Sequence, residues 1–169
     1  MFGFNQTNKN RNGTNLMTKL IIGIDPGLNG GVCAMCDEIK VAIPFTTMAE
    51  MQFALADALG KEPDEIKAYI EEPPAYFPGA GGGLASQAKL HRNLGQYEGM
   101  LMGLGIAFET VRPQKWQTGL PGVAKLKGKD RKKALHNLAI QRYPQLKPTL
   151  KTCDAILIAE YGQRIECNK

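Results

Sequence analysis

Three runs of strand-forming residues follow one another closely between Lys19 and Phe45, and this crowding constrains the fold more than any other feature of the chain. Lys19 to Asp25 (KLIIGID) is rich in β-branched residues and stops at Pro26-Gly27. Gly30-Gly31 opens a second run, Val32 to Cys36, and Asp37-Glu38 supplies a hairpin turn into a third, Ile39 to Phe45. Such short connections imply a meander. The period then changes: Met48, Met51, Leu55 and Leu59 recur at helical spacing over Thr47 to Leu59, with Thr46 or Thr47 as N-cap and Gly60 as stop. Lys67 to Glu71 is a fourth strand. Glu72 to Gly83 (EPPAYFPGAGGG), with its prolines and glycines, is a loop. Leu84 to Leu104 reads as a long helix and Ile106 to Val111 as a fifth strand. A helical turn ending at Trp116 follows, then a basic loop from Gly119 to Gly128, a helix from Asp130 to Tyr143 stopped by Pro144, and a last helix from about Thr152 to Arg164. The order β-β-β-α-β-α-β-α-α predicts an α/β fold, a mixed five-stranded sheet with helices on both faces.

A length of 169 residues suits one such domain, here 18–169, and 43% hydrophobic against 22% charged residues is an ordinary globular mixture. Residues 1–17, Asn-rich and without apolar periodicity, read as a disordered tail with no assigned function. No run is apolar enough to cross a bilayer or to serve as a signal peptide, so the expectation is a cytoplasmic, nucleoid-associated protein with no membrane partner. The four cysteines then read as reduced thiols. Cys33 and Cys36 have zinc-ligand spacing but fall within one strand, with no second Cys or His pair close by.

The net charge of +5 is unevenly spread: residues 1–84 carry six Lys and Arg against ten Asp and Glu, and residues 85–169 fifteen against six. A basic half of this kind fits a polyanionic partner or a solvated helix face. Three carboxylates, Asp25, Glu71 and Asp154, stand at the ends of elements. If the first and fourth strands are neighbours, Asp25 and Glu71 share a sheet edge. Converging carboxylates repel one another unless a cation sits between them, and oxygen ligands suit Mg²⁺ or Mn²⁺.

The segments IIGIDPGLNGG (21–31), YIEEPP (69–74), NLGQYEGML (93–101), VRPQKWQ (111–117), KDRKKALHNLAIQRYP (129–144) and CDAILIAEYG (153–162) together resemble the RuvC-type Holliday-junction resolvases of the RNase H-like, retroviral-integrase superfamily, in order and in spacing. The resemblance covers Thr18 to about Glu166. It implies an RNase H-like fold and a homodimeric, structure-selective DNA endonuclease that resolves four-way junctions by paired symmetric nicks. Asp25, Glu71 and Asp154 would be both catalytic residues and ligands of Mg²⁺ or Mn²⁺, two ions per site, with Glu72 as the neighbouring alternative to Glu71. No nucleotide cofactor is implied: sugar kinases and actin-like ATPases share the opening Gly-Ile-Asp-Pro-Gly, but those folds need two such domains.

By the same resemblance, Tyr76 and Phe77 on the glycine-rich loop stack on unpaired bases at the branch point, or else pack in the core. Gly95, Gly99 and Gly103 line a dimer helix, or else pack on the protein's own sheet. Lys115, Lys125, Lys127, Lys129, Arg131, Lys132, Lys133 and Lys151 are the expected phosphate contacts. Trp116 is expected in the core, and His91 and His136 have no catalytic part. One departure stands out. The family places an acidic residue or histidine three positions before the last aspartate, where this chain has Lys151. That leaves two alternatives open beside the resolvase: a broader nuclease for branched or flapped DNA, and a junction-binding protein with a disabled site.

Overall fold

The computed structural model describes residues 19–37, 39–60, 65–74 and 83–167. The meander is β1 (Lys19–Asp25), β2 (Gly31–Met35) and β3 (Lys40–Pro44); then come α1 (Met48–Leu59), β4 (Glu65–Glu71), α2 (Leu84–Gly103) and β5 (Ala107–Val111). The chain ends in α3 (Pro113–Trp116), α4 (Gly128–Arg142), a 3-10 turn at Pro144–Leu146 and α5 (Cys153–Cys167). The sheet order is β3-β2-β1-β4-β5. β1 is antiparallel to β2 and parallel to β4, and β4 is parallel to β5. The expected neighbouring of the first and fourth strands therefore holds. β4 starts two residues before the expected Lys67, because Lys19 pairs with Glu65 and Leu20 with Ile66, which carries the ladder along the whole of β1.

β1, β2 and the second half of β4 are buried on both faces, so side-chain alternation sorts their residues into two cores. Leu20, Ile22, Ile24, Ala68 and Ile70 face one way and pack with Met51 and Leu55 of α1 and Tyr97 and Leu101 of α2. Ile21 and Tyr69 face the other way and pack with Trp116, Leu135 and Leu138 and with the apolar stripe of α5 from Cys153 to Tyr161. Cys33 belongs to the second core and Cys36 to the first. Opposite faces of a sheet cannot share a zinc ion, and the thiol pair is a structural one.

Helix α5 lies unusually close to β1. A Cβ on Gly23 would stand 2.2 Å from the Ala155 carbonyl oxygen, and one on Gly162 would stand 2.5 Å from the Tyr69 ring. At Gly23 backbone meets backbone, and at Gly162 the helix backbone meets the Tyr69 and Ile21 side chains; only glycine allows either approach. The far end of α5 is held by charge: Lys19 Nζ lies 2.8 Å from Glu65 and 2.7 Å from Glu166, and Lys67 Nζ lies 3.1 Å from Glu166, whose side chain is only 5% exposed. Burial and mutual pairing make this network costly to break. Arg142 and Glu160 tie α4 to α5.

Candidate active site at the end of β1 and β4

Asp25 closes β1 on the same face as Ile21 and Gly23, and Glu71 closes β4 on the same face as Lys67 and Tyr69. This is the face covered by α5, whose first turn carries Asp154. Three carboxylates from three elements are thus directed into one region, and each interacts electrostatically with the others: Asp154 acts on Asp25, and both act on Glu71.

Each carboxylate is held by a separate partner. The turn after β1 wraps Asp25: the Gly27 N–H donates to Asp25 Oδ1 at 3.0 Å, and the Gly30 N–H donates to the Gly27 carbonyl at 2.9 Å. A Cβ on Gly30 would come within 2.5 Å of the Asp25 carboxyl carbon, so the second glycine of this turn is required by the close approach. The fully buried Trp116 donates Nε1–H to Glu71 Oε2 at 2.8 Å. Lys132 of α4 pairs with Asp154 Oδ2 at 2.7 Å. Glu72 turns away from the cluster and pairs with Arg112 at 3.2 Å.

The electrostatics follow from enclosure and like charge. Burial, and then the Asp154 charge, hold Asp25 above the usual carboxylate range, partly offset by the Gly27 N–H and by Lys132. Burial, and then Asp25 and Asp154, push Glu71 up to about 8, against the Trp116 hydrogen bond and Lys132. Burial opposes charging of Lys132, yet Asp154 beside it more than compensates, and the lysine is held above its ordinary value. The Tyr97 hydroxyl, buried and close enough to Asp25 to feel its charge, has no hydrogen-bond partner among the described residues. Oxygen-only donors that repel one another, beside an orphaned buried hydroxyl, are chemically suited to a hard divalent cation. Among the described residues no three potential ligands stand close enough to form a ready coordination sphere. Lys132 supplies the compensating positive charge.

The basic residues divide into two groups. Lys115, Lys125, Lys127, Lys129, Arg131, Lys133 and Lys151 are exposed, whereas Lys132 turns inward to Asp154. Sequence reasoning grouped Lys132 with its neighbours, since in KDRKK nothing but the helical phase of the buried Leu135 and Leu138 separates it from them. Trp116 is core as expected; its bond to Glu71 was not anticipated, because the indole reaches the carboxylate only through the α3 turn after β5. Lys151 lies at the turn before α5, and its N–H donates to Thr149 Oγ1 at 3.2 Å. His136 bonds the Pro148 carbonyl at 3.1 Å. Tyr76 and Phe77 lie outside the described residues. Gly95, Gly99 and Gly103 are exposed, and a Cβ on any of them would meet nothing within 4 Å. They do not pack on the protein's own sheet.

No family model matches the sequence, and neither does any curated protein. Solved structures do match. Thermus thermophilus RuvC in complex with Holliday junction substrate is 14% identical, with a TM-score of 0.53 over 86% of this chain and 96% of that one. A second Thermus thermophilus RuvC structure is 16% identical, with a TM-score of 0.52 over 87% of this chain and 96% of that one. In fold, therefore, the chain is an α/β domain whose mixed five-stranded sheet, flanked by helices, matches that of these two structures.

Proposed function

We propose that the protein is a metal-dependent, structure-selective DNA endonuclease that resolves four-way junctions by paired symmetric nicks. The observation that carries this reading is the convergence of Asp25, Glu71 and Asp154 from β1, β4 and α5 on the face where the RuvC-type fold ends its central strands. These three carboxylates would hold Mg²⁺ or Mn²⁺, two ions by the family resemblance, and such ions supply activation of the attacking water and charge compensation at the departing 3′ oxygen.

The chain's own residues prepare that chemistry. Gly27 and Trp116 each occupy one oxygen of a carboxylate, which fixes its rotation and leaves the other oxygen for the cation. Lys132 holds Asp154 and brings positive charge to where a scissile phosphate would arrive. The exposed lysines and Arg131 of α4 and the loop before it give affinity for the phosphate backbone without sequence preference. Tyr76 and Phe77 are proposed to stack at the branch point, and the outward glycine face of α2 to pair with a second copy, setting two sites against two strands. Lys151 is assigned to phosphate rather than to metal, since a charged ammonium cannot ligate a cation.

A second reading has one observation in its favour: the Lys132 ammonium pairs with Asp154 where a cation is needed, as in a protein that binds junctions and leaves them uncut. The test is incubation of an end-labelled synthetic four-way junction, beside a flap and a linear duplex, in Mg²⁺ or in EDTA. Paired symmetric nicks in the junction alone, absent in EDTA, are expected. Cuts of similar rate in the flap would give the broader branched-DNA nuclease, and tight binding without cuts in Mg²⁺ or Mn²⁺ would give the disabled site.

A further inference from the structure

Beside Asp25 the surface opens into a cleft of about 660 Å³ whose wall includes Leu28, Asn29, Lys89, Leu150 and Lys151. We propose that this cleft seats one unpaired nucleotide next to the scissile phosphate, its base against Leu28 and Leu150 and its phosphates between Lys89 and Lys151. The proposal rests on the nuclease reading above and adds to it a subsite for the displaced nucleotide. Leu28 and Leu150 are 53% and 55% exposed, an aliphatic surface that nothing in the described chain covers. They ride on the same two turns that carry the carboxylates, Leu28 three residues after Asp25 and Leu150 four before Asp154.

Charge decides what kind of molecule fits. Lys89, Lys132 and Lys151 come from α2, α4 and the turn before α5, and Asp25 is the lone acid of the wall. An apolar floor under a cationic rim suits a flat, weakly polar group bearing phosphates. Size sets the scale: drug-sized ligands fill clefts of roughly 300–1,000 Å³, a range that accommodates one nucleotide. A free nucleotide is disfavoured by the turn itself. The N–H groups of Gly27 and Gly30, which a phosphate-cradling loop would present, are spent on Asp25 and on the Gly27 carbonyl. Phosphate binding is therefore left to side chains at the rim, where a continuous strand can enter and leave.

The test places 2-aminopurine, whose fluorescence rises on unstacking, at successive positions around the cut in a four-way junction saturated with the full-length protein in EDTA. A rise of threefold or more at a single position within about two nucleotides of the cut is expected, reduced to near the free-junction signal by Leu28→Ser and by Leu150→Ser. Both side chains are more than half exposed, so the variants should fold; circular dichroism checks this, and the wild-type scan needs no variant. A protein that cuts the junction in Mg²⁺ but shows no rise at any position, or a rise that both substitutions leave intact, overturns the subsite while the nuclease reading stands. Absence of both junction binding and cutting overturns the two together.

Discussion

Glu71→Gln is expected to stabilise the metal-free protein strongly at pH 8 and hardly at all at pH 5. In the folded protein the Glu71 carboxyl is pushed up to about 8, whereas its ordinary value is 4.5. Between those two values the folded state keeps a proton that the unfolded chain has released, so stability falls as the pH rises through the interval. At about 1.4 kcal/mol for each pH unit, the wild-type penalty is below about 1 kcal/mol at pH 5 and reaches about 4 kcal/mol at pH 8. Glutamine removes that penalty because it does not ionise, and it keeps both the length of the side chain and an oxygen to accept from Trp116. Urea unfolding in EDTA at the two pH values, on both proteins, measures the difference directly. Mg²⁺ added at pH 8 should raise the stability of the wild type more than that of the variant, and the variant should not cut. A stabilisation of the same size at pH 5 and pH 8 would refute the reasoning, since it would show that Glu71 is not held protonated by burial and its acidic neighbours.

Four further outcomes are expected. Trp116→Phe removes the donor to Glu71 Oε2 and should lower kcat for junction cutting by roughly 10–100-fold with junction affinity little changed; an unaltered kcat would make the indole a packing residue only. Gly23→Ala drives a methyl into the Ala155 carbonyl and should cost more than about 3 kcal/mol in thermal unfolding, so a variant melting within a few degrees of wild type would contradict the close approach. Alanine at Gly95, Gly99 and Gly103 should stabilise the helix of the monomer by up to about 1 kcal/mol each while weakening self-association in sedimentation. Stabilised protein with unchanged association would remove the dimer from that face. Changing Lys129, Arg131 and Lys133 together to alanine should reduce the slope of log K against log[salt] by about 3 for junction binding, and an unchanged slope would place that helix away from DNA.

Most of the sheet was legible in the sequence because β-branched runs, glycine and proline mark strands and their ends directly. The carboxylate set was legible too, though only as a combination: Asp25 and Glu71 announce themselves as the last residues of strands, while Asp154 is an ordinary helix-start aspartate until the fold brings α5 over β1. What sequence did not carry is contact between elements far apart in the chain. The Trp116 bond to Glu71 spans forty-five residues and the Lys132 bond to Asp154 twenty-two, and no local pattern marks either. Helix boundaries shifted for local reasons. α4 begins at Gly128, where a positive φ of 53° turns the chain into the helix, rather than at Asp130. The loop bearing Tyr76 and Phe77 lies outside the described residues, as does the tail over residues 1–17, and the zinc spacing of Cys33 and Cys36 dissolved once strand alternation put them on opposite faces.

The contact of Gly23 with α5 has a consequence for heredity. Because main chain meets main chain there, the spacing between the β1 and α5 carboxylates is set by atoms that every residue possesses, and no side chain stands in the gap whose size selection could adjust. The scaffold is conservative while Asp25 and Glu71 at its rim are each one nucleotide change from an amide, and such a change relieves repulsion instead of creating a hole. If the chain is the nuclease proposed, a lineage that needs the junction held but not cut can therefore lose cutting in a single step and gain stability by it. On the nuclease reading, keeping the activity would require selection on the activity itself, since selection on folding alone favours loss of the acids.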